Sequence, residues 1–130
     1  MTSPGQEPSL FSRIAAREIP ATIVAETDRI IAFEDIAPQA PVHVVITTRT
    51  QQYRNVVELA AEDPGLLAEL VAVAAGIAAE RSNGQFRLVF NTGQAAGQTV
   101  FHVHAHLLAQ PGPGSPVGDD SLGEGSLAFR

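Results

Sequence analysis

Residues 97–110 read GQTVFHVHAHLLAQ and hold three of the chain's four histidines. His102, His104 and His106 fall at every second position. Side chains on a strand alternate between its faces, so a strand here puts all three imidazoles on one face, roughly 6.7 Å apart at about 3.3 Å of rise per residue. Val103, Ala105 and Leu107 then point the other way, into an apolar layer. The segment is expected to be a strand with one face in the core and one face of histidines.

The neighbouring segments extend this frame. Upstream, NTGQAAG (91–97) is a glycine-rich loop, and QFRLVF (85–90) is a strand leading into it. SNG (82–84) stops a long helix that begins at Asp63-Pro64, with Asp as N-cap and Pro at the first helical position. Leu66, Leu67, Leu70, Val71, Val73, Ala74, Ile77 and Ala78 give that helix a broad apolar face, to about Arg81. RNVVELA (54–60) supplies about two further helical turns. VHVVITT (42–48) is β-branched and suits a buried strand. APQAP (37–41) is a loop, and ATIVAETDRIIAFED (21–35) reads as a hairpin turning at ETD. SLFSRIAARE (9–18) carries Leu10, Phe11, Ile14 and Ala15 at helical spacing, with Ser9 as N-cap and Pro20 as terminator. Residues 1–8 read as a loose end, 9–110 as one domain, and 111–130 as a Gly/Pro-rich tail. The order helix, three strands, helix, two strands predicts an α+β fold with an antiparallel sheet and its helices packed on one side.

Composition narrows the partners. The chain has 130 residues, a formal charge of −6 and a pI near 5.0, with its Lys and Arg scattered. That argues against nucleic acid as a partner and leaves room for a small anion. No cysteine is present, so disulfides and thiolate metal sites are excluded, and a cytoplasmic location is expected. MTSPGQEPSL lacks a basic stretch followed by an apolar run, so no secretory leader is expected. LLAELVAVAAGIAA (66–79) is short and holds Glu69, which makes it a core helix; no membrane partner is expected.

The histidine row admits two chemistries. Histidines at i and i+2 can share one metal ion, although zinc asks for further ligands and the motif offers no acidic residue. Alternatively, one imidazole attacks as a nucleophile while the others hold its target. That demands a proton fixed on the opposite ring nitrogen. A glycine loop beside the row can add backbone N–H donors for phosphate.

The sequence resembles the histidine triad (HIT) family, whose signature, His-x-His-x-His and two apolar residues, stands here as HVHAHLL (102–108). The similarity extends over FSRIAAREIPATIVAETDRIIAFEDIAPQAPVHVVI (11–46) and FRLVFNTGQAAGQTVFHVHAHLL (86–108), and is greatest to the Hint branch, the nucleoside phosphoramidate hydrolases. The resemblance implies a five-stranded antiparallel sheet with a short N-terminal helix and one long helix, the sheets of two copies joined across a homodimer. It implies a purine nucleotide ligand and hydrolysis through a nucleotidyl-histidine, with no cofactor. His104 would be the nucleophile. His102 and His106 would line the phosphate and help the leaving group take a proton, with His43 packed behind. Asn91, Gly97, Gln98 and Thr99 would face the phosphate, Asp35 the ribose hydroxyls, and Phe11, Ile14, Ile19 and Ile36 the purine. His106 stands where related nucleotidylyltransferases carry Gln, which favours hydrolysis over transfer. A dinucleoside polyphosphate hydrolase of the Fhit branch, or a nucleotide sensor with negligible turnover, are the alternatives.

The chain departs from the family in three places. Many bacterial relatives open with Cys-x-x-Cys and bind structural zinc; Ser9 and Ser12 stand there, and Thr50 replaces a histidine that can join the site. No metal is therefore expected. The tail also lacks the tryptophan that Hint relatives often carry there.

Overall fold

The computed structural model describes residues 7–111. Most of the expected loose N-terminal end and nearly all of the expected tail lie outside them. The described chain runs α1 (Leu10–Ala15), β1 (Ile23–Glu26), β2 (Ile30–Glu34), β3 (Val42–Thr48), α2 (Val56–Glu62), α3 (Pro64–Arg81), β4 (Arg87–Val89), a 3₁₀ turn (Gln94–Ala96) and β5 (His104–Ala109). The strands form one antiparallel sheet in the order β1-β2-β3-β5-β4. This is the α+β architecture expected from the order of elements, except that α1 packs on the face opposite α2 and α3 rather than on the same side.

Local chemistry sets the helix bounds. The Asp63 side chain accepts from Leu66 N–H at 3.1 Å, with Pro64 next in the chain, so α3 starts where one orphan donor is satisfied and another is missing. Asn55 caps α2 in the same way, accepting from Glu58 N–H at 3.0 Å. At the far end of α3, Ser82 and Gly84 donate backbone N–H groups to the Ala78 carbonyl, and Asn83 and Gly84 take positive φ values of 56° and 80°. α1 ends earlier than Pro20 suggested. Ala16 is its C-cap and Arg17 has a φ of 65°, so the chain has already left the helix.

The two sheet faces do different work. Ile30, Ala32, Val44, Ile46, Ala105 and Leu107 face α2 and α3, where Leu59, Leu66, Leu70, Ala74, Ile77 and Ala78 close the main core. The opposite face carries His43, Val45, His104 and His106, and only the short α1 packs there, through Phe11 and Ile14 on Phe33 and Val45. A sheet covered by long helices on one face and by six residues on the other leaves a cleft on the second. No helix among the described residues is long and apolar enough to cross a membrane.

β5 runs His104–Ala109, so the first four residues of the expected strand VFHVHAHLLA (100–109) lie outside the ladder. Val103 N–H donates instead to the Tyr53 carbonyl (2.9 Å), and the Val103 carbonyl accepts from Thr47 Oγ1 (2.7 Å). Those bonds replace the ladder that residues 100–103 would otherwise join.

Candidate active site

The cleft on the α1 side has a volume of about 350 Å³ and a mostly apolar wall. Phe11, Ile14, Ile19, Phe33 and Val45 form its floor and sides, Ile36 stands at the mouth at 93% exposure, and Asp35, Thr99, His104 and His106 add the polar edge. His104 and His106 therefore reach the cleft together, with rings 5.2 Å apart, and Phe11 packs edge-on against His104 at 4.7 Å.

The hydrogen bonds fix the tautomers. His104 Nδ1 lies 2.8 Å from the carbonyl oxygen of His102. A carbonyl only accepts, so Nδ1 carries the proton and Nε2 keeps its lone pair. The same logic runs through the second pair. Gln39 backbone N–H donates to His43 Nδ1 at 2.9 Å, so the His43 proton is on Nε2, which lies 2.9 Å from His106 Nδ1. His106 Nδ1 must accept, and its own proton is on Nε2. The two cleft histidines thus differ: His104 offers a lone pair and His106 a donor.

Sheet register brings His43 and His106 together. His43 pairs with Leu108 and Val45 with His106, making the two imidazoles diagonal neighbours on one face. Asp35 joins them because the chain returns on itself, with Asp35 N–H donating to the His43 carbonyl at 3.0 Å. The Asp35 carboxylate is enclosed; Oδ1 accepts from Ala37 N–H at 2.8 Å and Oδ2 lies 3.4 Å from His43 Nε2. The sequence gives no sign of this Asp–His pairing, since the residues are eight positions apart across a proline-rich loop.

One ligand atom each from Asp35, His43 and His106 falls within 4.8 Å of the others. A zinc ion needs Zn–N bonds of about 2.0–2.1 Å, which separates tetrahedral nitrogens by about 3.3 Å. The His43 and His106 nitrogens are closer, at 2.9 Å, with a proton between them. The two histidines are joined by a hydrogen bond, with the Asp35 carboxylate beside it.

Five expected site residues, His43, Asn91, Gly97, Gln98 and His102, stand outside the cleft lining. His102 is fully buried and is not among the residues that line the cleft. Its Nε2–H donates to the Thr48 carbonyl at 2.6 Å, and Nδ1 accepts from Ser9 Oγ at 2.5 Å. Lying before the ladder begins, it turns towards β3 and α1. Gln98 is 1% exposed and braces the glycine loop: Oε1 accepts from Gly93 N–H (2.9 Å), and Nε2 donates to the carbonyls of Arg54 (2.6 Å) and Val100 (3.0 Å). Its acceptor and both donors serve that loop. Asn91 and Gly97 are half-buried and do not line the cleft, whereas Thr99 does. Gly97 takes a φ of 98°, which glycine tolerates without strain. Ser9, Ser12 and the Thr50 carbonyl are held in hydrogen bonds to His102, Gln51 and Thr48 respectively.

Burial holds the His102 pKa down to about 4, and the neighbouring His104 adds to the effect. The unfolded imidazole takes its proton near pH 6.5, the buried one only near pH 4. The unfolded state therefore binds more protons between these values, and stability falls as the pH falls through that window. We expect His102 to contribute a loss on the order of 3 kcal/mol from pH 6.5 to pH 4. Urea unfolding across that range checks it, and the slope should flatten in His102→Gln; an equal slope in the variant would assign the loss to other groups.

The HIT domain family matches residues 16–112 of the chain. An uncharacterized HIT-like protein of Synechococcus elongatus is 47% identical over 103 residues, covering 78% of this chain and 90% of its own. The purine nucleoside phosphoramidase of Escherichia coli is 40% identical over 114 residues, covering 86% and 92%. Among solved structures, a HIT family hydrolase from Clostridium thermocellum superposes with a TM-score of 0.75 at 39% identity, covering 85% of this chain and 96% of that one.

Proposed function

Because the chain belongs to the HIT domain family, we propose that it is a nucleotide hydrolase that cleaves the P–N bond of purine nucleoside 5′-phosphoramidates, with His104 as nucleophile. The observation that carries this reading is the bond from His104 Nδ1 to the His102 carbonyl, which leaves Nε2 with its lone pair beside the cleft.

In the first step, Nε2 of His104 bonds to the α-phosphorus and the P–N bond breaks. The attacking ring becomes cationic, and its retained Nδ1 proton faces the His102 carbonyl, which spreads that charge. The leaving nitrogen needs a proton. The His43–His106 pair, carrying one extra proton at His43 Nδ1 in place of the Gln39 N–H bond and balanced by Asp35, delivers a proton from His106 Nε2 and returns to neutral, the shared proton then resting on His106 Nδ1. In the second step, water adds to phosphorus, its proton goes back to the pair, and the bond from phosphorus to Nε2 breaks. The net change is substrate plus water to nucleoside monophosphate plus amine. Splitting one displacement into two lowers each barrier.

The apolar walls at Phe11, Ile14, Ile19 and Phe33 suit a planar base, and the ribose lies at the mouth beside Asp35 and Ile36. Phosphate then sits near Thr99 and the two cleft histidines. The homodimer belongs to the same proposal. β4 is a sheet edge with Leu88 and Val89 half-buried, and α3 leaves Val71 exposed and Leu67 and Val73 half-buried at the margin of the core. Light scattering on an eluting column tests it, and a monomer mass would remove it.

A side-by-side assay of adenosine 5′-phosphoramidates and diadenosine polyphosphates tests the substrate class. Faster turnover of the phosphoramidate supports the reading. Preference for the dinucleotide favours a polyphosphate hydrolase, and tight AMP binding without turnover of either favours a sensor.

A further inference from the structure

We propose that Gln51 is a positioning residue for the cleft: its side chain latches the start of α1 to the segment after β3 and so holds Phe11 over His104. The inference rests on the nucleotide reading of the cleft, and its test is arranged to separate the two.

α1 has six residues, too few to hold a helix without tertiary support. Gln51 supplies that support from one buried amide. Its Oε1 accepts from Ser9 N–H at 2.8 Å and from Ser12 Oγ at 2.6 Å, while Nε2 donates to the Glu7 carbonyl at 2.8 Å. All three bonds go to residues 7–12, so the whole side chain is committed to the helix start. The latch is tied to the histidine strand through Ser9, whose hydroxyl meets His102 Nδ1. Two residues further on, Phe11 lies 4.7 Å from His104 and 5.6 Å from Phe33, forming the wall that the base would meet.

Gln51 itself is not in the cleft lining. Its effect must therefore pass through α1, and it should depend on whether the ligand has a base. Gln51→Leu keeps a similar size and removes all three bonds. The unlatched helix has to be ordered anew on each binding event, which weakens binding. We expect KM for an adenosine 5′-phosphoramidate to rise about tenfold with kcat within about threefold. Ribose 5-phosphoramidate, which has no base, should keep its KM within about twofold by the same argument. Gln51→Glu retains the two accepting bonds and should recover most of the lost affinity.

Hydrogen exchange gives a readout independent of turnover. The amides of Arg13 and Ala16, which bond to the Ser9 and Ser12 carbonyls, should exchange faster in Gln51→Leu while those of β3 and β5 stay protected. Unchanged exchange in α1, or an equal rise in KM for the base-free substrate, overturns the latch. Where the wild type hydrolyses neither compound, the phosphoramidase reading fails; AMP and ribose 5-phosphate affinities, with the exchange data, then decide the latch alone.

Discussion

Replacing His104 by alanine is expected to lower kcat by on the order of 10⁴-fold or more, while AMP still binds within about tenfold of wild type. The magnitude follows from the ring's role. Of the two imidazoles lining the cleft, His104 alone keeps its Nε2 lone pair, because the His106 proton is held on the nitrogen turned away from His43. Binding should survive because the apolar wall is unaffected in composition; Phe11 loses one edge contact but keeps Phe33, Val45 and Ile14. Circular dichroism and calorimetric AMP titration separate loss of chemistry from loss of fold. A variant that folds, binds AMP and still turns over within tenfold of wild type would remove His104 from the mechanism.

His106→Ala should show a loss that depends on the leaving group. A positioned acid contributes roughly 10²–10⁴ in rate, and only when the departing atom needs a proton. For an alkylamine phosphoramidate the loss should lie in that range. For a substrate whose leaving group departs as a stable anion it should shrink to about tenfold or less. The same trend, in weaker form, is expected from His43→Ala, since His43 Nε2–H is what orients the His106 ring. Kinetics across a series of leaving groups give the test. A uniform loss over the series would make His106 a binding group and leave the source of the proton elsewhere.

Much of the fold was legible because the responsible signals are local. The Asp63-Pro64 start of α3 and its Ser-Asn-Gly stop are short-range backbone chemistry, and the structure reproduces both. The alternation of Ala105 and Leu107 with His104 and His106 likewise fixed which face is core. The histidine row was legible only in part. Periodicity treats His102, His104 and His106 alike, yet Tyr53 and Thr47 take the backbone bonds of Val103 and end the ladder before His102. That residue becomes a buried anchor, and its carbonyl, invisible to any side-chain pattern, sets the tautomer of His104. Gln98 and Gln51 were illegible for a related reason. Each amide reaches a segment far along the chain, Gln98 to the Arg54 carbonyl and Gln51 to residues 7–12, and nothing in GQT or TQQ signals which groups will lie near. Ser9 was visible as an N-cap, but its bond to a histidine 93 positions later depends on the sheet being formed.

The stereochemical course at phosphorus tests the two-step displacement most directly. An adenosine 5′-phosphorothioamidate of one configuration, hydrolysed in ¹⁸O-water, passes through two in-line displacements if His104 forms a covalent nucleotidyl intermediate. The account predicts net retention in the product. Net inversion would mean that water attacks the substrate directly, and would contradict it.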